Sequence, residues 1–255
     1  MVDCHIHMVL DGVNWKDAIA RHKAAPQEAL IRQTLGHYQA LGFSYLRDGG
    51  DRWGVCDLAA KLAPEYGIRY RSPGFPIYKT GHYGGFIGRG FDGLAEYRAL
   101  VREAKTRGAH FIKLMISGLM DFSQYGVLTG EPLPPDLIRD MIACAHDEGF
   151  SVMAHANGDE AVRAALEQQG ACAVLLQLKS TFGNFYYSSS IDGAELADVD
   201  TAAVDSLIDW LSQHGYYLIA EVPAFCDTAF ALANPAAALP LSSGALWMDS
   251  NGCYW

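Results

Sequence analysis

Two hydrophobic periods take turns along the chain. Short runs with strand-like apolar patterning are VDCHIHM (2–8), SYLRDGG (44–50), IRYRSPGFP (68–76), HFIKLMIS (110–117) and FSVMAHANG (150–158). Between them apolar positions recur every three to four residues, which predicts helices. These run from about Asn14 to Leu41, then through VCDLAAKLAPEYG, LAEYRALVREAKTRG, PPDLIRDMIACAHDEG (134–149) and DEAVRAALEQQG. Helices end at Gly42, Gly67, Gly108, Gly149 and Gly170, each just before an apolar strand, where a left-handed glycine closes the last turn. A glycine-rich loop, YKTGHYGGFIGRGFDG, follows the third strand. Further on, CAVLLQLKST (172–181), YYLIAEVPAF (216–225) and ALWMDSN (245–251) read as strands, with a helix over VDTAAVDSLIDWLSQHG (199–215) between the first two.

About eight strands alternating with helices predict an α/β fold, a (β/α)8 TIM-type barrel. The last strand has no helix after it. The barrel is therefore expected to be incomplete at its C-terminus or assembled from two barrel fragments.

Composition narrows the function. With 255 residues, half of them hydrophobic, the chain can bury one barrel core or two smaller ones. No apolar run reaches the length of a membrane span and no basic-then-apolar leader opens the chain, which predicts a cytoplasmic protein without membrane contact. Six scattered cysteines read as reduced thiols. A net charge of −10 without a basic stripe argues against nucleic acid. The charge is uneven. Residues 1–170 hold 18 of the 19 Lys and Arg, whereas 171–255 hold only Lys179 against nine acids. That shift divides the chain at about 170–172.

Candidate chemistry begins in VDCHIH. On a regularly alternating strand, Asp3, His5 and His7 share a face, and two imidazoles backed by a carboxylate suit a divalent transition metal. A surface strand that happens to carry two histidines is the bland alternative. In barrels, function sits at the C-terminal strand ends. The polar residues on or near those ends are His5, His7, Asp48, Lys113, His155 and Asp249. Lys113 stands in the otherwise apolar FIKLMI, where an ammonium must find an anion, lose its proton or be modified. Its alternative is a long side chain reaching solvent. Asp48 either orients a ligand or caps its turn. His82 and Tyr83 lie in the glycine-rich loop, at the barrel mouth or in a simple connection; no GK[ST] follows, so the loop is not a P-loop. His22, His37, His110 and His146 read as structural.

Residues 1–170, through VDCHIHMVLDG, YLRDGGDRWG, SPGFPIYKTGHYGGFIG, FIKLMISGLMDF and VMAHANGDEAVRAAL, resemble the amidohydrolase superfamily, in its imidazolonepropionase- and prolidase-like branch. The resemblance implies a barrel holding one or two divalent ions, zinc first. His5 and His7 would hold the more buried ion, Lys113 carboxylated by CO2 would bridge, and His155 would bind the second. Asp3 would stand behind a metal-binding histidine, and Asp249 would act as general base. The resemblance lapses after the strand-five helix. There the family carries Ile-Glu-His-Gly, with a further histidine ligand, and this chain has CAVLLQLKSTFGN.

Residues 171–255, through LLQLKSTFGNFYYSSS, VDSLIDWLSQHGYYLIAEVPAF and LPLSSGALWMDSNGCYW, resemble the opening strands of a bacterial glycoside hydrolase-like barrel family. That chemistry needs two carboxylates, and Glu221, Asp227 and Asp249 are available. The expected function is metal-dependent hydrolysis of a small amide, dipeptide, cyclic amide or ester, weakened or lost without the sixth-strand histidine. The alternatives are a carbohydrate-active barrel and a non-catalytic chimera. The expected partner is a small-molecule substrate.

Overall fold

The structure, a computed structural model, describes residues 1–119, 121, 127–167, 173–180, 182–190, 196–222, 227–249 and 252–254. It divides into two compact units, Met1–Gln168 and Gln169–Trp255.

The first unit opens with β1 (Val2–Ile6), α1 (Trp15–His22), α2 (Glu28–Ala40), β2 (Tyr45–Asp48), α3 (Val55–Leu62) and β3 (Arg69–Arg71). It continues with β4 (Pro76–Lys79), β5 (Arg89–Phe91), α4 (Leu94–Thr106), β6 (Ile112–Met115), α5 (Pro135–Asp147), β7 (Val152–His155) and α6 (Asp159–Glu167). All strand pairs between these elements are parallel, in the sheet orders β1-β2-β3 and β5-β4-β6-β7.

Several expected elements are divided. The single helix over Asn14–Leu41 is two, because Pro26 has no amide hydrogen to continue the first; Asn14 caps α1 by accepting from Asp17 N–H, and His22 Nδ1 accepts from Gln27 N–H at 3.1 Å. The strand IRYRSPGFP is likewise two. Pro73 followed by Gly74 at φ 74° turns the chain between β3 and β4, which enter different sheets. The glycine-rich loop contains β5, which pairs with β4 through Ile77 and Arg89. Gly42, Gly67, Gly108 and Gly149 adopt the left-handed conformation expected where helices close, and Gly170 lies outside the described residues.

Each sheet buries its helix-facing side. Ile6 and Leu46 pack with Ile31 and Leu35 of α2 and Val55 and Ala59 of α3. Ile77, Ile112 and Leu114 pack with Tyr97 and Val101 of α4 and Ile138 and Met141 of α5. Each such aliphatic chain contributes roughly 1.5–3 kcal/mol of apolar burial. The opposite faces of β2, β6 and β7 carry Arg47, Lys113, Met153 and His155.

The second unit contains β8 (Ala173–Gln177), α7 (Thr201–Gln213), β9 (Tyr217–Glu221) and α8 (Thr228–Ala233), with β8 and β9 parallel. The run expected as a strand at 245–251 forms isolated antiparallel bridges instead, Pro240 with Leu246 and Met248 with Tyr254; positions 250 and 251 lie outside the described residues. The expected join at 170–172 lies outside them too. Among the described residues the strands form three parallel sheets without closure into a barrel, and no helix is long and apolar enough to cross a membrane.

Candidate functional site

A bulge in β1 shapes the site. Asp3 pairs with Leu46 but Ile6 pairs with Asp48, so β1 spends three steps where β2 spends two. Asp3 and Ile6 therefore lie on the helix-facing side, and His5 and His7 point to the other face. The strict alternation that put Asp3 beside the histidines does not hold. The Asp3 carboxylate instead accepts from the His5 backbone N–H at 3.1 Å, bracing the bulge.

His7 leaves the end of β1 and lies against the end of β2. A Cβ at Gly49 would stand 2.4 Å from its ring, so only glycine leaves room. His7 Nδ1 lies 3.2 Å from the Gly50 carbonyl. A carbonyl only accepts, so Nδ1 carries the hydrogen and Nε2 keeps its lone pair. The His5 and His7 ring centroids are 5.4 Å apart.

His155 ends β7. Asn157 Nδ2 donates to the Gly118 carbonyl at 2.9 Å, which fixes its amide, and also faces His155 Nε2 at 3.1 Å. His155 Nε2 also lies 3.4 Å from the Gly118 carbonyl, so its tautomer decides whether it accepts from Asn157 or donates to Gly118. Tyr83 packs on this ring with centroids 4.9 Å apart.

Lys113 lies in β6 in register with Pro76 and Met153 and is 2% exposed. Among the described residues its ammonium has no hydrogen-bond or ion-pair partner. Burial, reinforced by the Arg47 guanidinium, lowers it to about 8. Burial is also the main cause that brings His7 to about 4 and His155 to about 4, with the Lys113 charge next. The side chain of His5 is exposed, and its imidazole is lowered in the same sense by partial burial and then by Lys113. One buried cation thus acts on all three imidazoles, which gathers the four residues around one region of the strand-exit face.

The other expected residues have different company. Asp48 is fully buried and accepts from Met8 N–H at 3.1 Å, Gly50 N–H at 2.6 Å and the Tyr70 hydroxyl. It secures the turn after β2, while burial raises its carboxyl to about 6. His82 Nδ1 lies 3.3 Å from the Glu131 carbonyl on the exposed loop. Asp249, in the second unit, accepts from Cys253 N–H at 3.0 Å. Arg47, Gly49 and Asn157 were missed in the sequence. Arg47 could have been found as the residue two beyond Tyr45 on the inward face of β2, and Asn157 as the polar neighbour in AHANG.

The donor set suits a divalent cation in kind: neutral imidazoles, one with a free Nε2, beside a lysine whose charge no described residue offsets. Its spacing is looser than an assembled centre. Among the described residues no three His, Cys, Asp or Glu side chains are grouped closely enough to hold an ion.

Solved structures share this parallel α/β fold. An ochratoxinase from A. niger matches with a TM-score of 0.59 and 19% identity, over 86% of this chain and 51% of that one. An amidohydrolase matches with a TM-score of 0.57 and 21% identity, over 96% and 58%. A Xaa-Pro dipeptidase with methionine bound in its active site matches with a TM-score of 0.55 and 18% identity, over 86% and 52%. The chain thus spans little more than half the length of these proteins. A family profile described as "Putative glycosyl hydrolase domain" matches residues 150–255. No curated protein sequence matches the chain. Both resemblances read from the sequence have counterparts here. The fold likeness to amidohydrolase- and prolidase-type proteins covers most of the chain, and the glycosyl hydrolase profile includes the whole tail.

Proposed function

We propose that the chain is a hydrolase of the amidohydrolase type, cleaving a C–N or ester bond in a small amide, dipeptide or cyclic amide. The observation that carries this reading is the set of three neutral imidazoles around a buried lysine with no partner among the described residues, at the exit ends of parallel strands. His5, His7 and His155 are the imidazoles that would have to draw closer than they stand here to hold a divalent cation, zinc first for its affinity for imidazole. Such an ion supplies Lewis-acid polarisation of a carbonyl and a water acidic enough to react near neutral pH.

The chain's own residues prepare this chemistry. The Gly50 carbonyl sets the His7 tautomer so that Nε2 keeps its lone pair, and Gly49 leaves the ring its space. The lowered Lys113 ammonium has a larger neutral fraction than an ordinary lysine. Its free amine can add to CO2, forming a C–N bond and releasing a proton, which replaces a buried cation with an anion. Tyr83 covers one side of His155. Asp249 is the general base that the amidohydrolase resemblance implies. The absence of the sixth-strand histidine predicts slow turnover.

The test is hydrolysis of Xaa-Pro dipeptides and lactams by zinc-loaded protein. Activity that chelation removes and His7→Ala lacks supports the reading. Equal rates with and without metal contradict it. A carbohydrate-active reading draws on the profile match over 150–255. There Glu221 ends β9 exposed, whereas Asp227 is tied to Lys179 and caps α8. Aryl glycoside cleavage that Glu221→Gln abolishes would favour it over the amidohydrolase reading.

A further inference from the structure

At the end of the strands away from His7 and His155, the first unit has a cavity of about 360 Å³, lined by Tyr45, Arg47, Arg71, His110 and Ser151 among others. Arg47 and Arg71 are register partners in the parallel pair β2–β3, so their side chains leave one sheet face side by side. Like charges at directly opposed positions destabilise a sheet unless something neutralises them. Elsewhere in the chain Arg32, Arg89, Arg102, Arg107 and Arg139 each meet a carboxylate. Among the described residues Arg47 and Arg71 meet none. Arg47 Nε donates to the Cys4 carbonyl at 2.7 Å, which anchors that guanidinium and leaves its terminal nitrogens available. Arg71 has no hydrogen-bond partner among the described residues. Among the described residues no acidic side chain lines the cavity. His110 falls below its ordinary value mainly through burial, with Arg71 and Arg69 adding to it against a hydrogen bond to the Ser72 carbonyl, so a positive field reaches that wall.

We propose that this cavity is an anion site in which the paired guanidiniums of Arg47 and Arg71, with the Tyr45 and Ser151 hydroxyls, receive a phosphate-type oxyanion. The planar forks of two arginines match several acceptor oxygens at once, and the donors outnumber any acceptor the cavity offers. The site lies at the opposite strand end from His7 and His155, shares the Arg47 charge with Lys113 and His5, and does not depend on a metal.

Inorganic phosphate is the probe, measured by titration calorimetry and thermal melting against chloride at matched ionic strength. The expected result is saturable phosphate binding and a phosphate-specific rise in melting temperature. Arg71→Gln lowers phosphate affinity about tenfold or more. In chloride it melts no lower than the parent protein, because the like-charge pair is gone. Arg47→Gln lowers the affinity similarly, Arg71→Lys keeps part of it, and the surface control Arg139→Gln keeps all of it. A phosphate monoester that binds equally well assigns the site to the phosphate group of a larger molecule; failure of the monoester assigns it to the free anion. Both of these results keep the proposal. It is overturned if phosphate acts no differently from chloride on the parent protein, or if Arg71→Gln binds phosphate unchanged.

Discussion

Lys113 in the first unit and Lys179 in the second are buried to similar depth, at 2% and 6% exposure, but their surroundings differ. Lys179 forms an ion pair with Asp227, which also caps α8. Lys113 has no anionic partner among the described residues and instead faces three neutral imidazoles and the Arg47 charge. The two units differ in the same sense around them. The first packs its helices on both sheets through continuous apolar clusters. Among the described residues of the second, only Leu211, Ala231, Ala238 and Cys253 are buried apolar side chains, while Tyr217, Phe230 and Leu232 are exposed. A well-packed unit can tolerate an uncompensated cation, and the proposed site would account for the cost of keeping one there. The sparsely packed unit keeps its lysine only with a partner.

The largest test of this contrast is Asp227→Ala. It strands the Lys179 charge and removes a cap, so the second unit should lose about 3 kcal/mol in urea denaturation. Unchanged stability would mean that the pair is not what permits burial. Gly49→Ala places a methyl into the His7 ring and should cost about 2 kcal/mol in the first unit, with loss of zinc binding. Retained binding would show that His7 is free to move. Lys113→Met should act in the opposite direction from Asp227→Ala, stabilising the chelated protein by about 1.5 kcal/mol at pH 7. Destabilisation would reveal an anion beside Lys113. The smallest effect is in pH. Lys113 titrates near 8 in the folded state, below its ordinary value of 10.5, so between these values the unfolded chain holds more protons and stability rises with pH. From pH 8 to pH 9 the chelated protein should gain about 1 kcal/mol relative to Lys113→Met; a flat difference would contradict the buried ammonium.

Much of the first unit was legible in the sequence. Period-two apolar runs marked the cores of β1, β2, β6 and β7, and glycines marked the helix ends because only they take left-handed backbone cheaply. The lysine in FIKLMI was legible as a chemical anomaly for the same reason that its neighbours were legible as core. The bulge in β1 was not, since register depends on the partner strand, and one added residue moved Asp3 to the other face. Pro26 and Pro73 were visible, yet the long apolar patterns around them outweighed the breaks they cause. β5 was hidden because glycines mask strand propensity. The Arg47–Arg71 pair needed the β2–β3 register, which no local pattern contains. In the second unit, short elements with few buried side chains left a weak periodic signal, and 245–249 was overread as a strand.

Zinc titration of the chelated protein by calorimetry tests the metal reading of the Lys113 cluster most directly, with His7→Ala and Lys113→Met measured alongside. The expected result is saturable binding of about one or two ions per chain, lost in His7→Ala and weakened in Lys113→Met. Absence of saturable binding, or binding that both variants retain unchanged, would contradict it.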